Sequence, residues 1–419
     1  MKFYIETYGC TANLGNSQDL ASALQEMGHI PSTLEEADAV IVNTCAVTEK
    51  TERKVVRRLG QLQGERLIVA GCLSVAIPDS ISHISCRGQM GPLSGPAAAE
   101  IASHFPGLAG PAAAKEAMPN AHPKVQFASD GCAVVNISEG CNGSCSYCIV
   151  AKARGRLKSR RAEDVAAEVE RLAALGTAEV QVTAQDTAAY GSDIRTDLGQ
   201  LLNKLVKIPG SFMLRVGMMN PNSALSIKDQ LLKSYQSPKI YRFLHIPVQS
   251  GSEDILRSMG RRYSATDFLK LVDAFRSSHP RITIITDVIV GFPGEANEDF
   301  AKTINLIERL QPDKVNITRF SVRPGTAAAM KYDMPDRIKK DRSREMTALW
   351  LKIAAKRNQQ YEGEVLAARI TERGRDGTMK ARAENYLGIV VKGRPKLGSM
   401  VRVEVTDSNP FYVSGHFVD

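Results

Sequence analysis

The chain has 419 residues, eight cysteines and a net charge of +9. That length allows two to four domains with well-buried cores, and the charge permits a polyanionic partner without naming one. No apolar run is long enough to span a membrane and MKFYIETYGC reads as a strand rather than a secretory leader, so no membrane and a cytoplasmic location are expected. In a reducing compartment the cysteines read as metal-binding or catalytic groups rather than as a disulfide framework.

Along the chain, KFYIETYG is strand-like and NSQDLASALQEMGH has helical periodicity ending near Gly28. AVIVNT is a buried strand, TERKVVRRLGQL a basic helix and RLIVAG another buried strand. This βαβαβ order predicts a doubly wound parallel sheet in an α/β domain. From about 88 to 126 the pattern gives way to sequence rich in Pro, Gly and Ala, expected to be a linker or loosely packed excursion. Six further strands follow: VVNIS, VQVTAQ, MLRVG, FLHIPV, ITIITDVIV and VNITRFSV, separated by helical patterns such as AEDVAAEVERLAAL and EDFAKTINLIERL. Six βα units suggest a partial (β/α)6 barrel with its chemistry at the C-terminal strand ends. A basic helical stretch at 336–358 leads to short alternating strands with Gly turns, as in a small OB-like β-barrel. The expected domains are therefore 1–106, a linker at 107–126, a barrel core at 127–357 and the last barrel at 358–419.

EGCNGSCSYCI, directly after the first barrel strand, puts Cys141, Cys145 and Cys148 in one loop. Zinc sites usually have four close ligands, and no fourth is near. A cubane iron–sulfur cluster held by three thiolates keeps one iron open for an outside ligand. Cys10, Cys45 and Cys72 each sit just past a predicted parallel strand. Those strand ends share one edge of a doubly wound sheet, so three distant residues are gathered in space, again as a three-thiolate site. Cys86 and Cys132 lie at no matching place and read as ordinary free cysteines.

C-x-x-x-C-x-x-C on the first βα loop of a partial barrel resembles the radical S-adenosylmethionine (SAM) superfamily. The resemblance implies that the open iron holds the methionyl end of SAM and that one electron then cleaves it to a 5′-deoxyadenosyl radical. It also implies SAM contacts from Gln185 and Asp186 after the second strand, Gln249 and Ser250 after the fourth, and Gly291 and Glu295 in VIVGFPGE. The full layout is similar to the methylthiotransferases: YGCTANLGNSQDL, NTCAVTEKTERK and AGCL in the first domain, EGCNGSCSYC, HIPVQSGS, DVIVGFPGE and FSVRPGT in the core, and a C-terminal TRAM domain. IVAKARGR and QDTAAYGSDI look most like the archaeal and eukaryotic branch acting on N6-threonylcarbamoyladenosine in tRNA. Ala327, where a proline often follows RPGT, departs from that pattern away from the cysteines.

The activity implied is thiomethylation at carbon-2 of the adenine beside the anticodon. It would use two [4Fe-4S] clusters, two molecules of SAM, a sulfur source, and an external electron donor such as a ferredoxin or flavodoxin, in a monomer. The isopentenyladenosine and ribosomal-protein aspartate branches are the alternatives within the family. Outside it stand a radical SAM methyltransferase, which needs no first-domain triad, and a non-enzymatic RNA-binding iron–sulfur protein. The acid-free run AKARGRLKSRR adjoins the expected active mouth and offers Lys152, Arg154, Arg156, Lys158, Arg160 and Arg161 to RNA phosphates. Arg369, Arg373, Lys380 and Arg382 are the corresponding candidates in the terminal barrel.

Overall fold

Apolar clusters organise the chain, one on each face of the first domain's sheet and one at the centre of each of the other two domains. A computed structural model describes residues 1–93, 97–106 and 131–418. The first domain runs β1 (Lys2–Thr7), α1 (Thr11–Glu26), β2 (Ile30–Pro31), β3 (Ala39–Thr44), α2 (Glu49–Leu62), β4 (Gly64–Gly71), α3 (Cys72–Ala76), β5 (Cys86–Gln89) and α4 (Ala97–Ser103). Its strands form one parallel sheet in the order β2-β1-β3-β4-β5. All six residues of central β3 are buried, because helices cover both faces. Leu20 and Leu24 of α1 meet Phe3, Ile41 and Ile68 on one side, and Val55 and Leu59 of α2 meet Val40, Val42 and Val69 on the other.

The expectation of a loose excursion from 88 is corrected over the described part of that stretch. β5 extends the sheet, and α4 buries Ala97, Ala98 and Ile101 against α1 and its core. Alanines bury little area but allow close approach, so an Ala-rich helix can resemble a linker in composition. The expected linker at 107–126 lies outside the described residues.

The second domain supplies β6 (Cys132–Asn136), β7 (Ser138–Glu139), α5 (Val150–Arg154), β8 (Lys158–Ser159), α6 (Ala162–Ala174), β9 (Glu179–Thr183), α7 (Leu198–Leu205), β10 (Met213–Val216), α8 (Pro221–Ser226), α9 (Lys228–Ser234), β11 (Phe243–His245), α10 (Glu253–Ser258), α11 (Ala265–Ser278), β12 (Thr283–Val290), α12 (Asn297–Leu310), β13 (Lys314–Arg319) and α13 (Asp336–Gln359). The six expected barrel strands are present as two parallel three-stranded sheets, β10-β9-β6 and β11-β12-β13. A single bridge between Leu214 and Ile240 joins them, since β10 and β11 are only four and three residues long. The exposed edge of β6 is covered by α1 of the first domain. The Gln18 side-chain oxygen accepts from the Val134 N–H (3.0 Å), and Asn136 donates to the Ala12 carbonyl (3.2 Å). Gly15 sits at this crossing, where a Cβ would lie 2.7 Å from the Asn136 amide.

The last domain is a closed barrel of β14 (Val365–Arg373), β15 (Thr378–Ala383), β16 (Gly388–Lys392), β17 (Met400–Ser408) and β18 (Val413–Val418), in the order β14-β15-β16-β18-β17. Its one parallel pair, β16 with β18, completes an OB-like topology. It docks at the N-terminal end of the (β/α)6 strands, opposite the cysteine loop. Tyr386, between β15 and β16, enters that end with its ring 4.8 Å from both Tyr241 and Phe243. Its hydroxyl donates to Glu179 (2.8 Å), and Arg215 lies 5.4 Å from its ring centroid.

This docking half-buries two of the RNA candidates. Arg382 stacks on Tyr386 (4.6 Å), and Arg369 donates to the Gly398 carbonyl (2.7 Å) in the cleft between the two barrels. Arg373 and Lys380 are exposed, and Lys380 pairs with Glu372 (2.9 Å). Charge in a strand does not by itself say which face the residue takes. Replacing Tyr386 by Ala is expected to cost about 3 kcal/mol of stability, as truncation of an aromatic packed between domains does, and Phe at that position about 1 kcal/mol for the lost hydrogen bond. Denaturant unfolding checks both; an unchanged midpoint for Tyr386→Ala would contradict the plug.

Candidate functional site

The barrel cysteines lie on a loop pinned at both ends. β7 and β8 pair across its base, and Gly140 (φ +78°) lets the chain pass where a Cβ would lie 2.1 Å from the Arg156 carbonyl oxygen. The Gly143 N–H donates to Cys141 Sγ (3.2 Å), and the Ser146 N–H donates to the Met259 carbonyl (3.0 Å). Burial pushes the Cys141 and Cys148 thiols up. A cavity of about 260 Å³ opens beside the loop, lined by Cys141, Cys145, Asp186, Asn220, Ser223 and Arg261 among others.

The expected SAM contacts divide. Asp186 is buried, lines the cavity, and accepts from the Asn220 N–H (2.9 Å) and the Ser223 hydroxyl (2.7 Å). Gln185 and Gln249 each keep a buried amide oxygen without a protein partner at a C-terminal strand end, and Gln249 holds φ +69° there. Of the six, only Asp186 lines this cavity. Ser250 is fully buried against Thr303 (3.3 Å). Gly291 backs onto α13, where a Cβ would meet Lys339 Cγ at 2.5 Å. Glu295 accepts from the Gly291 N–H (2.7 Å) and from Arg342 (2.5 Å) in a sealed ion pair. These three hold the fifth-strand turn and its neighbours together. Sequence reading missed Asn220, Ser223 and Arg261; the only signal was polar sequence, MNPNS, following the third barrel strand. Arg261 donates to the Tyr147 hydroxyl, beside the cysteine loop.

The first-domain cysteines lie at the C-terminal ends of three adjacent strands: Cys10 after β1, Cys45 after β3 and Cys72 after β4. Gly9 (φ +109°) passes so close to Cys45 that a Cβ there would lie 2.9 Å from its sulfur. Asn13 cross-links the ends, donating to the carbonyls of Tyr8 (2.7 Å) and Thr44 (2.9 Å), and its side-chain oxygen lies 3.9 Å from Cys10 Sγ. The Thr44 hydroxyl donates to the Ala70 carbonyl (2.7 Å) and accepts from the Leu73 N–H (3.1 Å). Burial pushes the Cys45 thiol up to about 11, with Cys10 and Cys72 adding to the effect.

Among the described residues, no three or more His, Cys, Asp or Glu converge where a single metal ion would sit. A cubane offers a separate iron to each thiolate, and thiolate-only donor sets of three fit such a cluster with one iron left open. Cys86 and Cys132 stand apart, at the N-terminal ends of β5 and β6; Cys132 lies 3.8 Å from Glu179.

The segments that carry the two sets are packed together. α3, which begins at Cys72, packs on α5, which begins two residues after Cys148. Ile149 and Ala153 enter the same apolar cluster as Cys72 and Leu73. Arg154 is a correction to the RNA candidates: its side chain is 2% exposed and donates to Asn13 (2.6 Å), Asn16 (2.9 Å) and Glu139 (3.0 Å). Arg160 is half-buried and bonded to the Asn136 carbonyl (3.0 Å) and Glu168 (2.6 Å). Lys152, Arg156, Lys158 and Arg161 are exposed.

Residues 135–307 match the Radical SAM superfamily, 2–88 the uncharacterized protein family UPF0004 and 359–418 the TRAM domain. A probable threonylcarbamoyladenosine tRNA methylthiotransferase of Archaeoglobus fulgidus is 40% identical, covering 99% of this chain and 98% of that protein. The threonylcarbamoyladenosine tRNA methylthiotransferase of Danio rerio is 34% identical over 99% of this chain and 78% of its own length. A tRNA-2-methylthio-N(6)-dimethylallyladenosine synthase of Thermoanaerobacter sp. is 34% identical over 100% and 93%. Among solved structures, the radical SAM methyltransferase TsrM of Kitasatospora setae shares the fold, with a TM-score of 0.54 and 16% identity over 78% of this chain and 75% of that one. The paired cysteine loops and the full-length likeness agree: the chain belongs to the radical SAM methylthiotransferases, in the family of the threonylcarbamoyladenosine tRNA enzymes.

Proposed function

We propose that the protein adds a methylthio group to carbon-2 of N6-threonylcarbamoyladenosine at position 37 of tRNA. The observation that carries this reading is two three-cysteine sets on segments packed together through α5, which a radical SAM methyltransferase would not need. When bound, a [4Fe-4S] cluster at Cys141, Cys145 and Cys148 supplies the electron that cleaves SAM, and a second at Cys10, Cys45 and Cys72 supplies a site for the sulfur that is methylated and transferred. Asp186, Gln185 and Gln249 are the groups we assign to SAM. Asp186 also holds Asn220 and Ser223 at the cavity wall. An external donor provides electrons and an external source the sulfur. Buried thiols that must stay reduced favour the cytoplasm, and among the described residues no helix is long and apolar enough to cross a membrane.

Higher identity to the threonylcarbamoyladenosine enzymes, up to 40% against 34%, supports that substrate over the dimethylallyl one. The RNA would approach the C-terminal strand face, where Lys152, Arg156, Lys158 and Arg161 are exposed, with Arg373 and Lys380 of the last barrel as more distant phosphate contacts. The rim of that face carries the most exposed large apolar side chains among the described residues, Met330 (90%) and Tyr332 (81%). Their segment is tied to the cysteine loop by the Ala328 N–H donating to the Ser146 carbonyl (2.8 Å), and Lys331 donates to Ser258 (2.5 Å). An exposed ring beside basic residues is a stacking platform for an unstacked base.

Two experiments test this. Cys45→Ala is expected to hold about half the wild-type iron and to cleave SAM to 5′-deoxyadenosine under reduction, yet to form no methylthio nucleoside; Cys145→Ala should keep the other half and lose SAM cleavage. Folded Cys45→Ala that still thiomethylates tRNA at the wild-type rate would overturn the assignment. Tyr332→Ala should weaken tRNA binding about 5- to 150-fold, the equivalent of about 1–3 kcal/mol of base stacking, with SAM cleavage unaffected. Filter binding at several salt concentrations reads this out; unchanged affinity would remove Tyr332 from the RNA surface.

A further inference from the structure

Resting on that two-cluster reading, we propose that Arg154 is a positioning residue for the first-domain cluster: from the barrel loop it fixes the Cys10, Cys45 and Cys72 ends and supplies the positive charge that makes their cluster easier to reduce.

Within the run AKARGRLKSRR, Arg154 alone is withdrawn almost completely from solvent, at 2% side-chain exposure. A guanidinium in that position must be paired and hydrogen-bonded. One edge meets Glu139 on β7 (3.0 Å), at the base of the barrel cysteine loop. The other donates to two amide oxygens of α1, Asn13 (2.6 Å) and Asn16 (2.9 Å). Asn13 is the side chain whose own N–H2 group cross-links the Tyr8 and Thr44 carbonyls, one of them two residues before Cys10 and the other adjacent to Cys45. Its positive charge also acts on the Cys72 thiol, opposing the upward push of burial there. Arg154 therefore touches the side chain that supports the Cys10 and Cys45 ends, and Thr44 carries that support on to the Leu73 N–H beside Cys72, while Arg154 itself belongs to the other domain.

The electrostatic consequence has a definite sign. A cluster on three thiolates is negative, and reduction adds another negative charge in a low-dielectric site. A cation in contact favours the reduced state and raises the midpoint potential. Glu139, on the far side of the guanidinium, opposes this more weakly. Lys could keep the charge but not the fork that spans Asn13, Asn16 and Glu139 at once.

The test uses full-length protein carrying Cys145→Ala, which leaves only the first-domain cluster, reconstituted anaerobically with iron and sulfide. The midpoint potential is followed by electron paramagnetic resonance. Adding Arg154→Gln should move the midpoint to more negative potential, and Arg154→Lys should move it less. Glu139→Gln should move it the opposite way. Opposite signs are not expected of simple loosening, and the Lys and Glu139 variants keep the test alive if Arg154→Gln does not fold. Unchanged midpoints in the Arg154 variants, or shifts of one sign in all three, would overturn the proposal. A Cys145→Ala parent that assembles no cluster would instead overturn the two-cluster reading, and the proposal with it.

Discussion

The five-residue helix α5 follows the barrel cysteine loop but packs in the core of the first domain, and the relation between the two cysteine sets depends on it. Cys148 lies two residues before its start, on the barrel loop, while Ile149 and Ala153 are packed in the apolar cluster of the first domain. Arg154, its last residue, is bonded to α1. Moving one thiol set relative to the other would strip apolar area from Ile149 and Ala153 and leave a buried guanidinium unpaired. The crossing of α1 over β6 reinforces this, because Gly15 admits Asn136 and Gln18 satisfies the strand edge. Two domains joined through a buried polar contact of this kind act as one frame.

That frame also divides the ends of the barrel. Tyr386 closes the N-terminal end, its hydroxyl donating to Glu179 and its ring beside Arg215. The C-terminal end opens at the cysteine loop, rimmed by Tyr332 and by the exposed bases after Cys148. The terminal barrel thus has a structural task, sealing the side of the (β/α)6 core away from the chemistry. Removing it would bare Tyr241 and Phe243 as well as any RNA contacts it makes.

Much of this was legible in the sequence, for identifiable reasons. Runs such as AVIVNT can only be central parallel strands, because no polar residue interrupts them before Asn43. The C-x-x-x-C-x-x-C spacing is local, so it needs no fold to be seen. The convergence of Cys10, Cys45 and Cys72 followed from parallel strands sharing one edge. What stayed hidden was direction. Arg154, Arg369 and Arg382 are basic residues whose side chains turn inward to specific partners, and composition carries no information about that. Ser250, Gly291 and Glu295 sit in motifs at the functional end yet serve the packing of α12 and α13. Asn220, Ser223 and Arg261 reach the cavity only through tertiary folding.

On the proposed reading, the two cysteine sets hold two clusters whose loops are packed together through one short helix. The most direct measurement is electron paramagnetic resonance of the reduced, reconstituted wild-type protein compared with Cys45→Ala and Cys145→Ala. Two clusters held this way should interact magnetically, so the wild-type spectrum should differ from the sum of the two single-set spectra. A wild-type spectrum equal to that sum, or to the spectrum of Cys45→Ala alone, would contradict the account.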